Sequence, residues 1–142
     1  ISNKLSTDIQ KLNDFDYLIS FGYRYIISKD IIDQFNSKAI NLHISYLPWN
    51  RGADPNLWSI IDDTPKGVTI HEIDDGIDTG DIIMQKKVVF GEDETLETSY
   101  TKLQIEIINL FKNNWHSIKK DEYEAISRLK AEPFIKALKV MS

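Results

Sequence analysis

The chain contains 142 residues, of which 42% are hydrophobic and 27% charged, and its formal net charge is −5 at pH 7. These values are typical of one globular domain, exclude a disordered chain and argue against a basic nucleic-acid-binding surface. The absence of cysteine excludes disulfide scaffolds, thiolate zinc sites and cysteine nucleophiles, and no apolar stretch approaches the roughly 20 residues that cross a bilayer.

The first half of the sequence predicts a strand–helix–strand unit. We expect residues 1–14 to form an arm and the apolar run 15–21 to form a strand that is buried on both faces. Ser28 is a candidate N-cap for a short helix, and residues 38–43 predict the next strand. A unit of this size makes its two strands parallel neighbours in one sheet.

The second half predicts two helices and two further strands. Asp54 followed by proline predicts the start of a short helix, and residues 68–73 and 82–90 predict strands. Residues 92–119 have the clearest helical period, so we expect this helix to pack across the sheet. The expected buried side of the short helix consists of Leu57, Trp58, Ile60 and Ile61.

Asn41 and His43 are two residues apart on a predicted strand, so their side chains point to the same face. An amide donates hydrogen bonds, and an imidazole donates them or transfers a proton near neutral pH. The pair lies at the carboxyl end of a strand, where open α/β sheets bind ligands. The alternative is that both side chains satisfy backbone groups beside a loop.

Residues 74–81 contain four aspartates and two glycines, which indicates a functional loop. An EF-hand is excluded because Gln85 lies where the twelfth position requires Glu. Residues 78–80 match the Asp-Thr-Gly of aspartic proteases, but the hydrophobic-glycine segment that those enzymes need follows too soon. A carboxylate that pairs with a histidine on a neighbouring strand and a solvated acidic turn both remain open.

Four segments follow one another in a recognisable order: 21–28 (FGYRYIIS), 41–53 (NLHISYLPWNRGA), 67–71 (GVTIH) and 75–83 (DGIDTGDII). In this order they resemble the folate-dependent formyltransferases, a family that includes glycinamide ribonucleotide, methionyl-tRNA and nucleotide-sugar formyltransferases. The resemblance covers about residues 15–115. Four motifs in register are a much stronger signal than any one of them.

The resemblance implies an α/β fold with a Rossmann-like, open twisted sheet that is mostly parallel, has antiparallel last strands and carries helices on both faces. It implies one catalytic domain over residues 1–142, with a core at 15–119 and a tail at 120–142, where Pro133 would interrupt a further helix. Members of the family begin with additional βα units and a phosphate-binding loop. We therefore expect an N-terminally truncated domain whose exposed sheet edge is covered by a missing segment or a homodimer partner.

The resemblance also implies transfer of a formyl group from the co-substrate 10-formyltetrahydrofolate to a primary amine, with no metal. The implied catalytic residues are Asn41, His43 and Asp78. Asn41 and His43 can stabilise an oxyanion, and Asp78 can hold the imidazole or pass protons through bound water. The residues implied to contact the pterin and formyl end of the folate are Tyr25, Ile26, Ile27, Asp74, Asp75 and Ile77.

The segment after His43 is most similar to the nucleotide-sugar enzymes, because His43-Ile44-Ser45 replaces the His-Pro-Ser that is usual in the purine and tRNA enzymes. The implied acceptor is a dTDP- or UDP-linked amino-deoxysugar of O-antigen synthesis in the cytoplasm, with Trp49 against sugar or base and Arg51 on phosphate. The alternatives are glycinamide ribonucleotide, methionyl-tRNA, and a non-catalytic folate-binding or interaction module. We expect small-molecule partners only, without nucleic acid or membrane.

Overall fold

A computed structural model of the protein describes residues 12–23, 25–36 and 38–120. Predictions for most of the N-terminal arm, for Arg24 in the first motif, for Ser37 and for a helix within 121–142 lie outside the described residues. The described strands are β1 (Leu18–Phe21), β2 (Ala39–His43), β3 (Gly67–Glu72) and β4 (Ile82–Lys87). The described helices are α1 (Lys29–Phe35), α2 (Pro55–Ile61) and α3 (Leu96–Lys119).

The four strands form one open sheet in the order β1-β2-β3-β4. β1 and β2 are parallel and are joined through α1, which confirms the predicted strand–helix–strand unit. β2 pairs with β3 and β3 with β4 in antiparallel orientation. The mixed open sheet is the expected fold class, although within the described ranges the antiparallel pairings outnumber the parallel one.

Helices cover both faces of the sheet, and successive side chains of β2 point to opposite faces. Ile40 faces α3 and packs with its buried Leu103 and Ile107. Ala39, one residue earlier, packs with Phe35 and its neighbours on α1 on the opposite face. Asn41 and His43 share the face of Ala39, since strand residues two apart point in the same direction. The apolar core therefore lies mainly under α3, and the polar end of β2 points away from it.

The long helix α3 begins four residues later than its period predicts. Thr95 caps it: its side chain accepts from the Thr98 N–H at 3.1 Å, and Thr98 Oγ1 accepts from the Thr95 N–H at 2.8 Å. At the other end, the Tyr17 hydroxyl donates to the Ile118 carbonyl at 2.9 Å. The first pair of bonds defines where the helix begins, and the bond from Tyr17 ties its end to the segment before β1. In the part of the chain that the structure describes, neither α3 nor a shorter helix has the combined length and hydrophobicity of a membrane span.

The predictions for the two outer strands need correction. β1 begins at Leu18 rather than at residue 15, and it is not buried on both faces: Ile19 is 39% and Phe21 is 41% exposed. The reason is that α3 packs mainly on β2 and β3 and leaves the outer part of β1 open. β4 ends at Lys87 rather than at residue 90, and Val89 beyond it is exposed.

Helix α2 is oriented opposite to its prediction. Its buried residues are the polar Asn56 and Ser59, whereas its apolar side chains are 39–59% exposed: Leu57, Trp58, Ile60 and Ile61. Asn56 Nδ2 donates to Ser99 Oγ on α3 at 3.0 Å and to the Leu96 carbonyl at 3.2 Å, so a polar contact decides which side faces inward.

Ser28 and Asp54 are the N-cap residues of α1 and α2, as predicted, but neither makes a side-chain capping hydrogen bond. Asp54 has a left-handed backbone (φ 52°) instead of the extended conformation that places a capping oxygen over the first turn. Ser28 is extended but also makes no side-chain capping bond.

We predict that Ile107→Ala lowers the free energy of unfolding by about 2–5 kcal/mol, because a fully buried side chain leaves a cavity. Ile105→Ala on the same helix is the matched control. Its side chain is 54% exposed, so the change should stay within about 0.5 kcal/mol. Urea unfolding of both variants measures the difference, and equal losses would contradict the assigned orientation of α3.

Candidate active site

A cleft of about 1260 Å³ lies at the carboxyl ends of β1 and β2. The predicted site residues that line it are Tyr25, Ile26, Ile27, Asn41, His43, Asp74, Asp75, Ile77 and Asp78. Trp49 and Arg51 are not among the lining residues of the described chain. Their contact with an acceptor therefore stays a prediction.

The register of β2 against β3 places four polar side chains on one face of the sheet. Asn41 lies directly opposite His71, and His43 lies opposite Thr69. Asn41 Nδ2 is 3.2 Å from His71 Nε2. Both histidines are buried, with 7% of His43 and 2% of His71 exposed.

The loop after β3 brings Asp78 against this polar face. Its Oδ1 lies 3.3 Å from His71 Nε2 and accepts from Asn41 Nδ2 at 3.3 Å. Its Oδ2 lies 3.7 Å from His43 Nε2 and accepts from the Gly52 N–H at 2.7 Å. The structure thus brings Asn41, His43 and Asp78 together and adds His71 to the group.

The carboxyl group of Asp78 is held in its ionised form. Burial alone would raise its pKa, but the hydrogen bond to His71, the charge of His43 and the Gly52 N–H together lower the pKa of Asp78 to about 2. The site therefore combines a fixed negative charge with two groups that can carry a proton.

Backbone carbonyls determine which ring nitrogens carry protons. His71 Nδ1 lies 2.8 Å from the Glu72 carbonyl, which can only accept, so Nδ1 carries a proton and donates. His43 Nε2 donates to the Asn50 carbonyl at 3.0 Å for the same reason. The remaining nitrogen of each ring is the one that can gain or release a proton.

Two loops form the apolar part of the cleft. Tyr25 and Ile26 are exposed on one loop, with 88% of Ile26 accessible, and Ile77 is 64% exposed on the other. Asp74 stabilises the second loop, since its Oδ1 accepts from the Gly76 N–H at 2.9 Å and from Thr79 Oγ1 at 2.5 Å. Exposed apolar side chains in a cleft with nearby carboxylates suit a flat ligand that carries N–H groups.

Sequence reasoning assigned no role to two contributors to this site. His71 ends the third recognised segment, yet its position opposite Asn41 depends on an antiparallel pairing that the sequence alone did not indicate. The Gly52 N–H was missed because a backbone donor has no side-chain signal; Gly52 has φ 89°, a conformation that glycine adopts readily. Within the described ranges, no group of three or more His, Asp or Glu side chains has the arrangement of a metal site.

Residues 2–111 match the family model of formyl transferase. The chain belongs to the formyl transferase family. Its resemblance to this family, drawn from four short motifs, is thereby confirmed.

Solved formyltransferases share the fold. One is formyltransferase PseJ from Anoxybacillus kamchatkensis, solved in complex with UDP-4,6-dideoxy-4-formamido-L-AltNAc and tetrahydrofolate. Its sequence is 53% identical to this chain, and the two structures superpose with a TM-score of 0.83. The match covers 87% of this chain and 66% of the PseJ chain. The N-formyltransferase from Helicobacter canadensis, in complex with folinic acid and dTDP-3-aminofucose, is 31% identical with a TM-score of 0.70 over 77% of this chain and 40% of its own.

Curated relatives of the formyl transferase family include methionyl-tRNA formyltransferases. That of Anaeromyxobacter dehalogenans (strain 2CP-1) is 39% identical over 89 residues, which are 62% of this chain. The chain spans 28% of the length of this relative.

We predict that the Asp78 carboxyl titrates with a midpoint of about 2, below its ordinary value of 3.8. Because the pKa is lower in the folded state, the ionised carboxylate stabilises the fold above pH 4, and this contribution of about 2 kcal/mol is lost as the pH falls from 4 to 2. Carbon-detected NMR of the side-chain carboxyl measures the midpoint. A titration near 4 would contradict the ion-paired geometry.

Proposed function

We propose that this chain carries the catalytic group of an N-formyltransferase that moves a formyl group from 10-formyltetrahydrofolate to the amine of a nucleotide-linked amino-deoxysugar. The observation that carries the proposal is the convergence of Asn41, His43, His71 and Asp78 in one cleft of a chain that is 53% identical to PseJ. The solved relatives bind tetrahydrofolate or folinic acid together with a nucleotide sugar.

The cleft fits a reduced folate. Its volume of about 1260 Å³ exceeds the roughly 300–1,000 Å³ of most small-molecule sites, which leaves room for a folate and part of a second substrate. Ile27 and Ile77 offer apolar surface to a pterin ring. Asp74 and Asp75 lie on the loop of Ile77, and their carboxylates can accept hydrogen bonds from the N–H groups of the ring. When bound, the folate supplies the formyl group.

The polar residues would stabilise charge and accept a proton. Attack by an amine develops negative charge on the formyl oxygen, and donors such as Asn41 and His43 at the cleft wall stabilise such charge. As the amine nitrogen bonds to the formyl carbon, the bond from that carbon to N10 of the folate breaks, so the amine loses a proton and N10 takes one up. An imidazole of His43 or His71 is positioned to accept the proton of the amine, and the Asp78 carboxylate between the two rings stabilises the positive charge that forms.

Charge and similarity favour a sugar acceptor. A net charge of −5 is unfavourable for binding tRNA, whose backbone phosphates require a basic surface. The proposed setting is bacterial surface polysaccharide synthesis, such as that of O-antigen, in the cytoplasm. Formylation of methionyl-tRNA is the second candidate, because the chain is 39% identical to a curated enzyme of that name.

We also propose that residues 1–142 form one catalytic domain with its core at 15–119. β1 lies at the end of the described sheet with Ile19 and Phe21 exposed, so a further segment or a homodimer partner is proposed to cover it.

We predict that His43→Ala and Asp78→Asn each lower kcat for formyl transfer by at least about 100-fold, because each removes a group that meets developing charge or the released proton. His116→Ala, an exposed histidine on α3, is the matched control and should retain activity. Calorimetry with 5-formyltetrahydrofolate separates binding from chemistry. His43→Ala should still bind the folate, and absence of binding to the unmodified protein would refute the folate assignment.

We predict that the preferred acceptor is a UDP- or dTDP-linked 4-amino-4,6-dideoxysugar and that Arg51→Ala raises its KM. Initial rates with such sugars, glycinamide ribonucleotide and methionyl-tRNA test the first part. A higher kcat/KM with either of the last two would overturn it. Arg51→Lys serves as the control for charge alone, and an unchanged acceptor KM in Arg51→Ala would remove this arginine from the site.

A further inference from the structure

A buried hydroxyl on β3 holds the loop that follows β2. Thr69 is fully buried and lies opposite His43. Its Oγ1 donates to the Ser45 carbonyl at 2.7 Å and accepts from the Leu47 N–H and from Gln85 Nε2, each at 3.1 Å. A hydroxyl has one donor and two acceptor positions, so the hydrogen-bonding capacity of Thr69 is fully used.

Gln85 on β4 extends this contact. It lies directly opposite Thr69 in the sheet, and its Nε2 also donates to the Leu47 carbonyl at 2.6 Å. Leu47 is therefore held through both its N–H and its carbonyl by two side chains of the neighbouring strands. Because buried backbone groups need partners, these bonds select one conformation of the loop.

The same loop contributes two backbone groups to the candidate active site. The Asn50 carbonyl accepts from His43 Nε2 at 3.0 Å, and the Gly52 N–H donates to Asp78 Oδ2 at 2.7 Å. Ser45 Oγ donates to the Trp49 carbonyl at 2.8 Å, which links the held part of the loop to these positions. The loop backbone thus contacts both members of the His43–Asp78 pair.

We propose that Thr69 and Gln85 are positioning residues for formyl transfer: they fix the loop at residues 45–47 so that the Asn50 carbonyl and the Gly52 N–H orient His43 and Asp78. Neither side chain lines the cleft, so both act through the loop rather than on substrate. This inference rests on the proposed function for its catalytic consequence. Its structural part, the coupling of Thr69 to Gly52, can be tested without activity.

Kinetics of the protein test the catalytic consequence. Thr69→Val removes the hydroxyl, and we expect kcat to fall about 10- to 100-fold with an unchanged KM for the formyl donor, because small displacements of a catalytic group are costly. Thr69→Ser should restore most of the rate. Gln85→Met, which leaves the Thr69 hydroxyl in place, should give a smaller loss of the same kind. Thr101→Val on the exposed side of α3 is the matched control.

Hydrogen exchange measured by NMR tests the coupling. In Thr69→Val we expect the Gly52 amide to exchange about tenfold faster, whereas the Ile107 amide in the middle of α3 keeps its rate. Should Thr69→Val fail to fold, Gln85→Met decides by the same measurements. An unchanged Gly52 exchange rate, with or without a fall in kcat, overturns the proposal, as does faster exchange with an unchanged kcat. If the unmodified protein transfers no formyl group, the proposed function fails, while Gly52 exchange still decides the coupling.

Discussion

The pairing register of β2 and β3 determines both the core and the candidate active site. It places Asn41 opposite His71 and His43 opposite Thr69 on one face, while Leu42 lies opposite Ile70 on the other. A slip of one residue would turn the apolar set toward the cleft and the polar set toward α3. Burial of a large aliphatic side chain stabilises a fold by about 1.5–3 kcal/mol, so packing under α3 enforces the geometry of the residues on the opposite face of the sheet.

The burial of Asp78 is tolerated because its charge is compensated from several directions. Asn41, the Gly52 N–H and two imidazoles surround the carboxylate, and they come from β2, β3 and the loop after β2. Removal of one partner leaves part of the buried charge uncompensated, and this destabilises the fold by more than the pair itself contributes to stability. The contacts of Asp78 therefore depend on one another. The same contacts keep the carboxylate ionised beside the two imidazoles.

Three of the five non-glycine residues with left-handed backbones in the described chain lie in the loops beside this group. The non-glycine residues Asn50, Asp54 and Asp78 all have left-handed backbones, with φ of 57°, 52° and 52°. Such conformations persist only where the surroundings determine them, and they are common at functional sites. Here the surroundings are identifiable: the Asn50 carbonyl bonds to His43, and the Asp78 carboxylate bonds to the Gly52 N–H. The strain is therefore part of the arrangement that aims these groups at each other.

The hydrophobic period of the sequence and the length of its connections predicted the elements that are determined by neighbouring residues. The parallel pairing of β1 and β2 follows from the length of their connection, and the body of α3 follows from its period. The motifs placed Asn41, His43 and Asp78 together only through the family resemblance. His71 and Thr69 lacked a role because their partners lie across an antiparallel pairing that neither periodicity nor spacing encodes.

In helix α2, the apolar pattern predicted the wrong buried side. Its apolar residues suggested a buried side, but a short helix is oriented by its tertiary contacts, and here the buried residue Asn56 bonds to Ser99 on α3. No pattern within residues 54–61 contains that information, because the deciding partner lies on α3.

The division between the catalytic group and the rest of the cleft bears on the choice of acceptor. In the proposed function, Asn41, His43, His71 and Asp78 meet only the amine of the acceptor and the formyl carbonyl of the folate, and every acceptor considered for this family presents an amine. Discrimination among acceptors requires contacts beyond these atoms. In the described chain, the cleft continues along the start of α2 and the start of α3, where Asn56, Leu57, Glu97, Tyr100 and Gln104 line it. The bond between Asn56 and Ser99 joins these two helices, and the residues of this corner lie outside the pairing of β2 and β3 that brings the candidate catalytic residues together. Because the residues proposed for the reaction and the residues of this corner are separate, related proteins can share one reaction and differ in their acceptors.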